Sequence, residues 1–363
     1  MAKGTATSNR IISPPKYIPV INSLRGLASV TVCIFHLVCL PLNFLEHTLI
    51  FEIAPYGKLG VQVFFVITGV VIPIALIKGK YNYSLFSKFM LKRIVRIEPP
   101  YLFSILTAIS FILLRNHFLA KAPHDIPTVK NLLLHLGYLI PFFKDQHWFI
   151  IVFWTMAVEF QFYLLISLLF PLLSNHNLIV RLISYITVFG AALIFTNGEF
   201  VPVWLPIFMI GIIYANFLFA KINLLEFSIV LMVSIGFGYF LHGVAITFIS
   251  VCTLGIIHFF SNYQNKLGNF FGNISYSLYL THTIFGSAIA NFFVPHVSNL
   301  YEKLLVVLLS FMVSVLSAYV FYLLIEKPSQ KYASKIPLKT KPKEVDALEE
   351  LTEKEFMVRS SLG

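Results

Sequence analysis

Apolar stretches of about 20 residues recur along this sequence with few charges to interrupt them. As helix, 20 residues rise about 30 Å, the thickness of a bilayer's hydrocarbon core. No other feature restricts the fold as much, because a backbone in hydrocarbon must satisfy its own hydrogen bonds within helices or a closed barrel. The runs lack the alternation of barrel strands, so helices are expected. Composition agrees. The chain is 58% hydrophobic and 12% charged, whereas a soluble domain is nearer roughly one half and one quarter. The expected fold is an all-α polytopic membrane protein.

Ten spans are expected, at about 22–41, 58–77, 98–114, 148–170, 179–196, 203–219, 224–241, 244–261, 274–294 and 304–324. An even count puts both termini on one side. Of the 27 Lys and Arg, 20 fall on that side, six on the other, and Arg25 within a span. The positive-inside rule therefore puts both termini in the cytoplasm, and it accounts for the formal charge of +11 without a nucleic-acid partner. The expected division is a cytoplasmic segment 1–17, a transmembrane unit 18–328 and a charged cytoplasmic tail 329–363. No cleavable signal is evident. Cys33, Cys39 and Cys252 lie in apolar runs without metal-like spacing, so they read as small buried hydrophobes and no metal is expected. NLLLHLGYLIPFF, residues 131–143, is too short to cross as a helix and is expected as a re-entrant or interfacial element on the outer side.

Ionisable groups inside the spans stand out, because each costs a few kcal/mol at mid-membrane unless it faces a cavity or a partner. Arg25 and His36 in the first span are eleven residues apart, which returns them to one helix face about 16 Å apart along the axis. Arg25 alone reads equally well as a snorkelling residue, and His36 as a hydrogen-bonded core histidine. Glu159 lies near the middle of the fourth span, with Thr155 and Tyr163 one turn to either side. It suits either catalysis or a structural ion pair. Ser275, Tyr279 and His282 form a polar stripe that also suits helix–helix hydrogen bonding. Arg93 and Arg96, one helical turn apart, precede Pro99 and Pro100, which are expected to mark the turn into the third span. Two guanidinium forks aimed one way match phosphate oxygens, although anionic lipid would also attract them.

Together these motifs resemble the acyltransferase-3 family of membrane proteins, which transfer acetyl or related groups to sugars. INSLRGLASVTVCIFH resembles its first-helix arginine–histidine signature, and GVQVFFVITGVVIP its second-helix motif. KRIVRIEPPY resembles its Arg-x-x-Arg loop, WTMAVEFQFYLL its Glu-x-x-Phe-Tyr helix, ISYSLYLTH its Ser-Tyr-x-Leu-Tyr-Leu-x-His helix, and Glu326-Lys327-Pro328 its closing Glu-x-Pro. Asn22, Thr68 and Thr281 depart from the usual Asp, Ser and Trp. The resemblance leaves no length for the extracytoplasmic hydrolase-like domain that many relatives carry.

The resemblance implies O-acyl transfer from cytoplasmic acyl-CoA, most simply acetyl-CoA, to a hydroxyl of an extracytoplasmic or lipid-linked carbohydrate, in a bacterial cytoplasmic membrane. Acyl-CoA is then a donor substrate and no cofactor is permanently bound. Arg93 and Arg96, with Arg25, are expected to hold the coenzyme's phosphates and His36 to act as general base. Glu159 is expected to orient a cationic partner or His36, and Tyr279 or His282 to contact the oxyanion or the acceptor. A secondary transporter with polar residues along its substrate path, and a sensor whose polar groups only join helices, are the competing classes.

Overall fold

The computed structural model describes residues 17–41, 44–118 and 126–338. The segment 1–16 and the tail from 339, both expected in the cytoplasm, lie outside the described residues. In chain order the helices are α1 (Val20–Cys39), α2 (Leu49–Ile53), α3 (Gly60–Lys78), α4 (Phe86–Phe118), α5 (Val129–Leu136), α6 (Phe153–Leu173), α7 (Leu178–Ile194), α8 (Val201–Leu218), α9 (Leu224–Phe259), α10 (Lys266–Phe293), α11 (Leu300–Phe321) and α12 (Lys327–Ser334). A π-helical turn, Tyr322–Glu326, joins α11 to α12. Among the described residues there is no strand. Within the described residues, seven helical stretches are long and apolar enough to cross a membrane. The chain is an all-α, multi-pass membrane protein.

Each expected span falls on a helix, with α9 supplying two of them. Asparagine side chains start several helices by accepting from the first free N–H groups: Asn177, Asn223, Asn265 and Asn299 cap α7, α9, α10 and α11. Inside α9, Gly243 takes φ +80° and ψ 179°, a backbone state open to glycine and strained for other residues. The chain doubles back there. A Cβ placed on Gly238 would lie 3.3 Å from Thr247 Oγ1, although nine residues of straight helix span about 13 Å.

The apolar α8 sits at the centre, buried on nearly all sides, against α3 and α9. α1 packs chiefly on α10, and α10 on α11. Several crossings are close enough to require glycine. A Cβ on Gly211 of α8 would meet the Val66 carbonyl of α3 at 2.5 Å. A Cβ on Gly272 of α10 would meet the Asn22 carbonyl of α1 at 2.2 Å. Without a hydrophobic drive between helices in lipid, such close backbone packing is what holds them. Gly272→Ala must therefore push α1 from α10. Overpacking costs about 1–3 kcal/mol, so a lowered unfolding temperature in detergent is expected. Gly190→Ala, where a Cβ meets nothing within 4 Å, should leave it unchanged; equal behaviour of the two variants would refute the argument.

Two sequence expectations are corrected. Pro99 and Pro100 lie inside α4 rather than at its start, so the helix carries Arg93 and Arg96 continuously into the bundle. Arg181, counted as a loop charge, lies in α7 and forms a two-pronged bond to Glu226, Nε to Oε1 at 2.7 Å and Nη2 to Oε2 at 2.6 Å. Tyr185 donates to the same carboxylate at 2.9 Å. The segment 131–143, expected as a re-entrant or interfacial element, falls in the short helix α5 and a 3-10 turn, Ile140–Phe142, packed between α4 and α6. Tyr138 donates to Glu98 of α4 at 2.9 Å and its ring stacks on Tyr101 and Phe160.

Candidate active site

Helices α1, α3, α4, α6 and α10, with the π-helical turn, enclose a cavity of about 420 Å³. It reaches the end of the bundle at Tyr17, Lys78 and Gln330. Arg25, Arg93, Arg96, Glu159, Tyr279 and Glu326 all line it. The two arginines of α4 share this wall because their three-residue spacing is read out on an unbroken helix. The Arg93 guanidinium lies over the rings of Phe89 and Tyr163, 5.3 and 5.6 Å from their centroids, and its Nε has no hydrogen-bond partner. Among the described residues, none of Arg25, Arg93 and Arg96 has a carboxylate oxygen within 4.0 Å. The three guanidinium groups thus share one cavity with two carboxylates, Glu159 and Glu326, and ion-pair closely with neither; guanidinium forks of this kind match phosphate oxygens.

Glu159, Thr155 and Tyr163 do share a face, and all three line the cavity. Glu159 accepts a hydrogen bond from Tyr163. It is therefore anchored on its own helix beside the arginines, and the expected link from Glu159 to His36 is not formed. The partner of His36 is His282, with Nδ1 of the first 2.8 Å from Nε2 of the second.

The protonation pattern of that pair follows from its neighbours. His282 Nδ1 lies 2.8 Å from the Leu278 carbonyl, which can only accept, so Nδ1 carries the hydrogen. In neutral His282 the other nitrogen, Nε2, is then an acceptor, and His36 Nδ1 must donate to it. This leaves the lone pair of His36 Nε2 unused, the arrangement of an oriented base. His36 is 7% exposed and His282 fully buried. Neither is among the residues lining the arginine cavity.

What separates them from it is a second hydrogen-bonded pair. Thr155 Oγ1 donates its single hydrogen to the Val152 carbonyl at 2.8 Å. Tyr279 must therefore be the donor in the 2.7 Å contact between its hydroxyl and Thr155 Oγ1. Tyr279 lines the cavity, and its ring lies 6.1 Å from that of His282, one turn further along α10. Arg25 and His36 thus occupy one helix at two depths, as their spacing predicts, with Arg25 in the cavity and His36 behind the Tyr279–Thr155 layer.

One residue of the cavity carried little weight in the sequence. Glu326, 2% exposed, accepts from Ser277 N at 3.0 Å, Ser277 Oγ at 2.6 Å and Gln330 Nε2 at 2.8 Å. It ties the end of α11 to the middle of α10, and the wider π turn delivers it there. Its only signal was the closing Glu-Lys-Pro. Of the departures, Asn22 lines the cavity and its amide donates to the Asn269 and Asn273 side chains at 3.3 and 3.2 Å. Thr281 is buried, bonded to the Ser277 carbonyl at 2.8 Å.

No curated protein and no solved structure matches the chain. A family model described as an acyltransferase domain matches residues 18–323, a range that includes every cavity residue named above except Tyr17, Glu326 and Gln330, together with both histidines. The chain belongs to the acyltransferase-3 family of membrane acyltransferases.

Proposed function

We propose that the protein transfers an acyl group, most simply acetyl, from acyl-CoA at the cytoplasmic face to a hydroxyl of an extracytoplasmic or lipid-linked carbohydrate, in a bacterial cytoplasmic membrane. The observation that carries this reading is the pairing on α1 of an arginine in an anion-receptive cavity with a histidine whose Nε2 lone pair is unpartnered. In this reading the cavity mouth and both termini face the cytoplasm. The coenzyme's phosphates bind Arg93, Arg96 and Arg25, and the arm carrying the thioester points along α1 toward His36. The acyl group displaces Thr155 as the partner of Tyr279. The Tyr279 hydroxyl, already a donor, then bonds the thioester oxygen.

His36 Nε2 takes the proton of the acceptor hydroxyl as its oxygen attacks the thioester carbon. The tetrahedral oxyanion is held by Tyr279, and donors placed for such an oxyanion carry much of the rate in acyl transfer. Collapse breaks the carbon–sulfur bond, and the leaving thiolate takes the proton from His36. The products are an ester and free coenzyme A. His282 acts through His36 by fixing its tautomer.

The test is mass spectrometry of envelope glycans from cells with and without the intact gene. A glycan that carries one acyl group only when the gene is intact is the expected result, and its mass gives the acyl group. Identical glycan spectra, together with purified protein that does not bind acetyl-CoA, would reject the reading.

A further inference from the structure

A second pocket, of about 270 Å³, lies beyond the histidine pair. We propose that it is the subsite for the acceptor and that it takes one neutral, polyhydroxylated ring; this rests on the acyl-transfer reading above. Its walls are the outward continuations of the two helices that carry the histidines. Leu40 follows His36 by one turn, Thr283 is the residue after His282, and Ser287 and Asn291 follow Thr283 at successive turns of α10, with Phe149 and Ile150 opposite.

Four buried hydroxyls among the described residues lack a partner, and two of them are on this wall. On the same helix Ser275 and Thr281 spend theirs on backbone carbonyls, both at 2.8 Å. The hydroxyl oxygens of Thr283 and Ser287 are buried and have no partner. A buried hydroxyl without a partner is destabilising, so these two are held ready for a ligand that supplies the missing bonds. Asn291 adds an amide with two donors and an acceptor, and Phe149 offers an apolar face for ring C–H groups.

Among the described residues, no charged side chain lines the pocket. That separates its ligand from the anion suited to the arginine cavity and favours a neutral alcohol. The volume is just under the ~300–1,000 Å³ of sites for drug-sized molecules, which suits a single sugar ring and excludes an oligosaccharide lying lengthwise. A longer glycan would therefore present one residue at a time, its reacting hydroxyl toward His36.

The experiment measures radiolabelled acetyl transfer from acetyl-CoA to the endogenous membrane glycan, alongside the Kd for acetyl-CoA, in Asn291→Ala, in Thr283→Val/Ser287→Ala, and in Ser287→Trp. The first two are expected to raise the KM for glycan about 5- to 30-fold, the loss of one or two ordinary hydrogen bonds. Ser287→Trp fills the pocket and is expected to stop glycan labelling. In all three the Kd for acetyl-CoA should stay within about twofold, which also reports that the variants are folded. Unchanged glycan KM in the first two, or normal labelling by Ser287→Trp, would overturn the assignment. So would weakened acetyl-CoA binding in all three, since the pocket would then serve the donor or the fold. Failure of the acyl-transfer reading itself looks different, because the unmodified protein would neither bind acetyl-CoA nor label glycan.

Discussion

His36→Ala is expected to lower acetyl transfer to glycan by about 10²–10⁴-fold, the range that a positioned acid–base group supplies. The Kd for acetyl-CoA should stay nearly the same, because His36 does not line the arginine cavity. The measurement is label transfer in membranes at matched expression, and full activity in the variant would end the assignment of His36 as base. The pair geometry predicts a graded series at His282. His282→Ala leaves the His36 ring free to hold its proton on either nitrogen, so an intermediate loss of about 10–10²-fold is expected, well below the 10⁴ that a wrong tautomer costs a catalytic triad. In His282→Gln the side-chain carbonyl can still accept from Nδ1, and partial recovery relative to alanine should follow. A packing role alone would give no such recovery, since glutamine and histidine fill the site differently.

Arg93→Ala/Arg96→Ala should act on the opposite side of the reaction. A hydrogen bond to a charged group contributes about 1.5–3 kcal/mol. Two lost arginine–phosphate contacts thus amount to about 3–6 kcal/mol, or 10²–10⁴ in the Kd for acetyl-CoA at ~1.4 kcal/mol per tenfold. Isothermal titration on the purified protein measures this. The specific control is acetyl-pantetheine, which lacks the nucleotide phosphates and should bind the variant and the unmodified protein alike. Arg93→Lys keeps the charge and loses the fork, so it should fall between them. A double variant with unchanged acetyl-CoA affinity would remove these residues from the donor site.

The parts of this molecule that were legible in the sequence are those where one chemical cost dominates. Charges in apolar runs marked Arg25, His36 and Glu159, because burial in lipid is expensive without a purpose. Helical spacing then put Arg93 with Arg96, and Thr155 with Glu159 and Tyr163, each set on one wall of the cavity. The two apolar runs on either side of Gly243 were separable for a similar reason, since α9 is too long for one crossing.

What escaped the sequence depends on contacts between distant segments. The His36–His282 bond joins residues 246 positions apart and the Thr155–Tyr279 bond joins residues 124 apart, and no periodicity within one helix records either. Pro99 and Pro100 argue locally for a helix start, yet α4 runs through them, with the Tyr276 hydroxyl bonded to the Ile97 carbonyl at 2.9 Å beside them. Glu326 was hidden because two of its three hydrogen bonds come from Ser277 of α10, 49 residues away, and Arg181 because its partner Glu226 is 45 residues further on.

The two stacked pairs, Tyr279 with Thr155 and His36 with His282, also bear on how a living cell tolerates this protein. An energised envelope stores work as a voltage and a proton gradient, and any open conduit through it would drain both. In the proposed reading the two pairs stand in series along the path of the acyl group, each bonded to itself. In the proposed reaction only an uncharged acyl fragment needs to slip by them while the coenzyme's phosphates stay behind. On that reading the exterior is decorated with intracellular carbon at no electrical loss.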